Sequence, residues 1–173
     1  MAVIKRNLPD KLEIHVKEYT PMALVGTDKL YLVDGEGIIF KEYVKGETEI
    51  MPVITGLSAD QIKDGKLPEY AEKALFVIKF AKEGLRTLGI NNIGRIHFNT
   101  AREMIVYTLN QGIAIRFGSL EKFKEKGFQK ALIKFYNRAE SILYHVFKSG
   151  RYKDVASIDL DYAGNMAVLR YKN

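Results

Sequence analysis

The sequence predicts an α+β fold, with a mostly antiparallel sheet and two long helices packed on one side of it. Three observations predict this fold. Short runs of alternating apolar and polar residues are joined through glycine-bearing turns, as in hairpins. Two longer segments carry apolar residues at helical spacing. Strand-forming segments return after the second of these, at the end of the chain, so strands and helices do not simply alternate.

The first third of the chain is rich in strand patterns. "KLEIHVKEY" alternates Leu12, Ile14 and Val16 with polar residues after a Pro-Asp turn at 9–10, and "PMALVG" predicts a second short strand. "KLYLVDGEGIIFKEY" has two β-rich runs about the turn at 34–37, where glycine supplies the positive φ that tight hairpin turns require.

Two helix starts follow "MPVITGL". Ser58 with Gln61 three positions later predicts a capped but short helix. Pro68 then opens a long helix from Glu69 to Leu88, which Gly89 ends. Its predicted buried face carries Ala71, Ala74, Leu75, Ile78, Ala81, Leu85 and Leu88.

The second half returns to strands and ends in one more helix and a hairpin. "IGRIHFN", "MIVYTL" and "IAIRFG" predict strands, the last two joined through Asn110-Gln111-Gly112. Ser119 is the expected cap of a helix to about Lys148, with Ser149-Gly150 as its stop. Its expected buried residues are Phe123, Leu132, Phe135, Ala139, Ile142, Val146 and Phe147. The terminal strands are expected at Val155 to Tyr162 and Asn165 to Tyr171.

Composition narrows the function classes. A hydrophobic fraction of 47% over 173 residues supports a folded core, and no apolar run reaches the length of a bilayer span or forms a signal peptide. The chain has no Cys, which excludes disulfides, a thiolate zinc site and a Cys nucleophile. The net charge of +6 can favour nucleic acid, anionic lipid or an acidic protein. The charges alternate in sign as on solvated helix faces and no nucleic-acid motif is present, so no nucleic-acid partner is expected.

Catalytic patterns are sparse. Asp159 and Asp161 share one face of a strand, and with Arg102 they are the residues that a small hydrolase would use. Alternate Asp residues are also typical of the solvated face of a strand. His15, His97 and His145 lie in separate elements without metal-ligand spacing, and "VDGEGIIF" lacks the third glycine of a dinucleotide-binding loop. We therefore expect no enzyme activity, no cofactor and no metal.

The last predicted strand bears on function. Residues 165–171 contain no Pro and no charge before Arg170, whereas natural proteins usually protect an exposed sheet edge with one or the other. An unprotected edge can accept a strand from another chain, with backbone hydrogen bonds providing affinity and alternate side chains providing selectivity. Internal pairing on both sides is the alternative interpretation.

Several stretches in order resemble the FtsQ/DivIB family of bacterial cell-division proteins. "RNLPDKLEIHVKEYTPMALV" is similar to the stretch that closes the POTRA domain of this family, and "LYLVDGEGIIF" is similar to its Tyr-Leu-Val-Asp-x-x-Gly-x-x-Phe hairpin. "MPVITG" resembles the following Leu-Pro-x-x-x-Gly, and "SIDLDY" resembles Ile-Asp-Leu-Arg-Tyr. Each motif is weak alone, but their shared order over nearly the whole chain makes the resemblance fairly specific.

The resemblance implies a domain plan. Family proteins have a cytoplasmic tail, one membrane span, a POTRA domain, and a β domain whose curved antiparallel sheet carries helices on one side. Residues 1–26 would be the C-terminal strand pair of a POTRA domain, and residues 27–173 the β domain. This part would lie on the extracytoplasmic side of the cell membrane, with the single-pass anchor in a segment absent from this sequence.

The resemblance also implies a function and a binding surface. The protein would be a non-enzymatic scaffold of the divisome that binds FtsB, together with FtsL, by strand addition at its C-terminal strand. Residues of the expected surface are Arg102, Asp161, Tyr162, Ala163, Gly164, Asn165, Met166, Val168 and Arg170. Asp161 stands where the motif has Arg, and Arg170 where some family proteins have a large aromatic residue. An alternative is a POTRA-associated adaptor with another peptide client.

Overall fold

The computed structural model describes residues 2–7, 11–16, 18–46, 50–83, 87–119, 125–162 and 166–172. Its strands are β1 (Ala2–Asn7), β2 (Lys11–Val16), β3 (Pro21–Gly26), β4 (Leu30–Asp34), β5 (Ile39–Glu42), β6 (Val53–Thr55), β7 (Ile93–Phe98), β8 (Glu103–Thr108), β9 (Ala114–Ser119), β10 (Val155–Asp159) and β11 (Val168–Tyr171). Its α-helices are α1 (Glu69–Ala81) and α2 (Glu125–Lys148).

Nine of the strands form one sheet in the order β11-β10-β9-β8-β7-β6-β3-β4-β5, and β1 pairs with β2 in a separate two-stranded sheet. Antiparallel pairing dominates the large sheet, which confirms the predicted α+β class. The neighbours β3 and β6, β6 and β7, and β9 and β10 are parallel. Helix α1 connects β6 to β7 and α2 connects β9 to β10, because a parallel connection must return the chain to the starting end of the sheet.

The core lies between one face of the sheet and the two helices. Alternate residues of β7 to β9 are buried on that face, among them Ile96, Phe98, Met104 and Val106. The helices contribute buried apolar residues that include Ala71, Ala74, Leu75, Ile78, Leu132, Ala139 and Leu143. Each strand thus turns its other side chains toward the face without helices.

Local turn chemistry agrees with the prediction at two places. The Asp34 carboxylate accepts hydrogen bonds from the backbone N–H groups of Glu36 and Ile38, and Gly37 has a φ of 83°, so the hairpin turn at 34–37 is confirmed. Ser58 and Gln61 form the expected capping box, at the start of a single 3-10 turn.

The expected second strand of a POTRA remnant lies elsewhere. Strand β3 pairs with β4 and β6 inside the large sheet, and its Ala23 and Val25 are fully buried. An apolar strand of this kind needs neighbours on both sides, so it lies inside the large sheet. The separate strand pair is formed by β1 and β2.

The helices also differ from prediction at their ends. Helix α1 ends at Ala81, seven residues before the predicted end, and the backbone N–H groups of Thr87 and Leu88 bond to the Glu140 carboxylate of α2. Ser119 is the last residue of β9, and the residues between it and Glu125 lie outside the described ranges, so its role as a helix cap stays a prediction. Phe147, expected on the buried face of α2, is 62% exposed. Leu85 and Phe123 lie outside the described residues.

Candidate functional site

Strand β11 is the outermost strand on one side of the large sheet. It pairs antiparallel with β10, with Leu169 opposite Ile158 and Val168 opposite Asp159. On its other side, no strand within the described ranges pairs with it. The predicted terminal strand is therefore present, although shorter than expected, and it lies at a sheet edge.

The hydrogen-bonding direction of β11 can be derived from its flanks. The N–H of Lys172 donates to the carbonyl oxygen of Asp154, which points residue 172 toward β10. Because inward and outward residues alternate in an antiparallel pair, Arg170 and Val168 also point toward β10. The N–H and C=O groups of Leu169 and Tyr171 therefore point away from the sheet, where a further strand would pair.

The opposite edge of the sheet is covered where its strand begins. Strand β5 begins beside residues 65–67, where the N–H of Ile39 donates to Gly65 and Ile38 forms a β-bridge with Lys66. Lys29 forms an ion pair with Glu42 at the other end of the same strand. Charged residues and a crossing segment are the usual protection of an edge, so the two edges differ in their access to a partner.

The side chains of β11 alternate between the two faces of the sheet. Leu169, like Ala167 before it, packs against the core, whereas Val168 is half-buried and Arg170 exposed. Met166 is 59% exposed, and Tyr162 is also exposed, three residues after the end of β10. The edge thus presents apolar surface beside its outward-pointing backbone.

An ion-pair network supports the end of β10. The Arg116 guanidinium of β9 binds both carboxylate oxygens of Glu103 at 2.8 Å and reaches Asp159 of β10 at 3.5 Å. The hydrogen bonds that Arg116 donates to Glu103 are the largest influence on the pKa of its guanidinium and raise it. The second oxygen of Asp159 accepts the backbone N–H of Asp161, so this carboxylate fixes the turn by which the chain leaves β10.

Asp161 lies over Gly118 of β9. A Cβ atom at Gly118 would come within 2.1 Å of a carboxylate oxygen of Asp161, and Gly118 has a φ of 78°. The glycine therefore provides the space that the Asp161 side chain fills. Asp161 is half-buried here, close to Arg116, whose pKa it also raises.

Arg102 lies at the same end of the sheet but not beside β11. It precedes β8, so β9 and β10 separate it from the edge strand, which amounts to about 14 Å at ordinary strand spacing. Its guanidinium lies 5.1 Å from the ring centre of Tyr70 of α1, and its φ is 55°. A partner that contacts both Arg102 and β11 has to continue across the ends of β10 and β9.

The predicted surface residues thus fall into three groups. Met166, Val168 and Arg170 lie on or next to the edge, Asp161 and Tyr162 lie at the exit of β10, and Arg102 lies in the β7–β8 turn. Ala163, Gly164 and Asn165 lie outside the described residues. Sequence reasoning missed Arg116 and Glu103, whose only signal is their outward position in alternating strands.

The residues considered for catalysis occupy other environments. Both carboxylate oxygens of Asp159 are engaged in the contacts described above. Strand β9 separates β10, which carries Asp159, from β8, which follows Arg102. Nδ1 of His97 lies 3.0 Å from the hydroxyl of Thr55, and burial, followed by the charge of Arg95, lowers the pKa of His97. The described part of the chain contains no group of three or more His, Asp or Glu side chains placed to hold a metal ion.

Neither α-helix, over the residues described, combines the length and apolar character that crossing a bilayer requires.

Comparison with known proteins gives consistent matches. Residues 23–161 match the family described as "Cell division protein FtsQ/DivIB, C-terminal". The chain is similar to the cell division protein FtsQ of Geobacter sp. (strain M21), with 27% identity over 95% of this chain and 56% of that protein. It is also similar to the FtsQ protein of Syntrophotalea carbinolica, with 29% identity over 68% of this chain and 42% of that protein. The chain spans about half the length of these relatives, and the family match ends before β11.

Proposed function

Because this chain belongs to the FtsQ/DivIB family of cell-division proteins, we propose that it acts in the divisome by docking a partner protein on its edge strand β11. The partner adds a strand beside β11, and we propose FtsB, together with FtsL, as that partner. The role is non-enzymatic. The observation that carries the proposal is the difference between the two sheet edges, since β5 is covered where it begins and β11 is open over the described residues.

The edge has the parts that strand addition needs. The backbone groups of Leu169 and Tyr171 supply main-chain hydrogen bonds, and the apolar surface of Val168 and Met166 supplies burial. Arg170 adds a forked donor for a carboxylate. A docked peptide loses conformational entropy when it is ordered, so we expect a modest affinity for an isolated segment.

The network at the exit of β10 supports this edge. Arg116 holds Asp159, and Asp159 in turn holds the backbone of Asp161, next to the exposed Tyr162. We propose that this arrangement presents Tyr162 to the partner, and that the predicted contact residues Ala163, Gly164 and Asn165 bind it as well. We propose that Arg102, at the same end of the sheet, contacts another part of the same partner.

The rest of the domain plan also belongs to the proposal. The sequence predicted residues 1–26 as the end of a POTRA domain; because β3 pairs within the large sheet, we propose only the β1–β2 pair, within residues 1–16, for that role. We also propose that the whole protein is anchored in the cell membrane by one span, with this part on the extracytoplasmic side. An adaptor that receives another peptide client at the same edge is the alternative. The cognate FtsB segment distinguishes the two, because only the divisome protein binds it selectively.

The test uses a fluorescently labelled peptide of the C-terminal half of FtsB from the same genome, titrated against this chain by fluorescence anisotropy. Leu169→Pro removes the outward N–H and blocks strand pairing. Leu169→Ala also removes the leucine side chain but keeps the N–H, so it is the matched control. We expect Leu169→Pro to abolish binding and Leu169→Ala to weaken it a few-fold. Val168→Pro is not a suitable variant, because its N–H points toward β10.

Equal affinities for Leu169→Pro and Leu169→Ala would refute strand addition at β11. Arg102→Glu tests the second contact and should weaken binding by reversing one charge. Backbone amide shifts recorded during the titration should change along β10 and β11 and not along β5.

A further inference from the structure

The last turn of α2 exposes a group of aromatic side chains. Phe147 is 62% exposed and Tyr144 is 48% exposed, whereas the other large apolar residues described in this helix are buried or half-buried. Both border a cleft of about 560 Å³ at the sheet end opposite to Arg102. Further residues lining it are Thr87, Ile90, Asn91, Asn92, Glu140 and Tyr152. Exposed aromatic surface of this kind is typical of binding sites.

The wall of the cleft is held by specific hydrogen bonds. The Glu140 carboxylate accepts the N–H groups of Thr87 and Leu88 at 2.7 and 2.6 Å. The Asn92 side-chain amide donates to the carbonyl of Thr87 and to the hydroxyl of Tyr152. The cleft is therefore formed before any ligand binds, which lowers the entropic cost of binding.

The exposed aromatic residues continue into the edge strand. Phe147 packs edge-on against Tyr152, with ring centres 6.0 Å apart. Arg151, the residue before Tyr152, has its guanidinium 4.2 Å from the ring centre of Tyr171, the last residue of β11. Tyr144, Phe147, Tyr152 and Tyr171, here called the aromatic platform, thus form one surface that begins where β11 ends.

Basic residues outnumber acidic ones around the platform, where Asp154 is an exposed acidic neighbour of Tyr152. The ammonium group of Lys148 lies 5.5 Å from the ring centre of Tyr144, Arg151 stacks on Tyr171, and Lys172 follows β11 on the surface. Among the described residues that line the cleft, Glu140 has the one carboxylate, and both its oxygens are already hydrogen-bonded. Aromatic surface with a basic rim complements a segment that carries both acidic and apolar side chains.

We propose that the aromatic platform is a second docking surface for the partner that pairs with β11, and that it receives an acidic, apolar-bearing segment of that partner beyond the added strand. The inference rests on the proposed function, because the platform is reached by a chain already paired with β11. The platform lies at the other end of β11 from Arg102, so the two contacts lie on either side of the added strand.

The experiment uses the same labelled FtsB peptide and the complete chain. Phe147→Ser tests the apolar contact and Arg151→Glu tests the charge, with Ile50→Ser as a matched control at an 88% exposed apolar residue outside the platform. Thermal unfolding of each variant checks that the fold is retained. We expect Phe147→Ser and Arg151→Glu each to weaken binding tenfold or more, and Ile50→Ser to have no effect.

Shortened peptides complete the test. Removing the residues beyond the added strand at the Tyr171 end should weaken binding to the unaltered chain by a similar factor. The same removal should have little further effect on Phe147→Ser, because the two changes delete one contact. If Phe147→Ser and Arg151→Glu bind as the unaltered chain does while Leu169→Pro does not bind, docking on the aromatic platform is refuted and strand addition at β11 is supported. If Leu169→Pro binds normally, or the peptide does not bind at all, the proposed function itself fails.

Discussion

A substitution at Gly56 tests how tightly the centre of the sheet is packed. Gly56 follows β6 with a φ of 88°, and a Cβ atom at this position would lie 1.8 Å from the carbonyl oxygen of Phe98 in β7. Real Cβ contacts essentially never fall below 3.0 Å. The obstacle is backbone in an interior strand, so it cannot move aside as a flexible side chain would.

The expected loss of stability for Gly56→Ala has two parts. The left-handed backbone conformation costs an alanine about 1–2 kcal/mol. Overlap with a packed neighbour adds about 1–3 kcal/mol, as overpacking does elsewhere. The total of about 2–5 kcal/mol is a large fraction of the about 5–15 kcal/mol that stabilises an ordinary domain.

Gly112→Ala is the matched control, because Gly112 also has a positive φ, 64°, but nothing lies within 4 Å of the position of its Cβ atom. The control isolates the backbone term. Urea unfolding followed by circular dichroism should show a midpoint clearly lower for Gly56→Ala than for Gly112→Ala, with unchanged m-values. Equal midpoints for the two variants would refute the overlap with Phe98 and the close approach of β6 to β7 at this point.

Three further predictions concern stability. Glu140→Ala leaves the N–H groups of Thr87 and Leu88 without their acceptor and should reduce the free energy of unfolding by about 2 kcal/mol in urea titrations, with Glu140→Gln recovering part of it. The pKa of His97 is lowered by burial, so the unfolded chain binds its proton more readily, and stability should fall as the pH drops from above about 6.5 through the lowered folded-state value. His97→Gln should flatten that dependence between pH 7.5 and 5.5, and an unchanged slope would contradict it. Arg116→Met should destabilise the chain and weaken its binding of the FtsB peptide. Unaltered amide shifts at the end of β10 in this variant would show that the ion-pair network does not support the edge.

Features that depend on neighbouring residues could be predicted from the sequence. The turn at 34–37 follows from an Asp side chain and a glycine within four residues, and Ser58 with Gln61 forms a capping box for the same local reason. The apolar spacing of the two helix bodies was sufficient to locate both helices.

Features that depend on distant residues could not be predicted. The backbone N–H groups of Thr87 and Leu88, predicted to lie in α1, bond instead to Glu140, more than 50 residues later in the chain. The exposure of Phe147 depends on where the last turn of α2 lies relative to the sheet, which helical periodicity does not contain. Arg116, Glu103 and Asp159 meet only when the register of three strands is known, so no single stretch of sequence predicts their ion pairs.

Having one covered edge and one open edge also limits assembly. A sheet that could pair at both edges would link copies head to tail, and nothing would end the growth of the resulting fibre. Here the segment at 65–67 bonds to the start of β5, so a second copy that paired with β11 would offer at its other end an edge that is partly covered. If β11 accepts a strand as proposed, this difference between the edges favours pairing that ends after one addition.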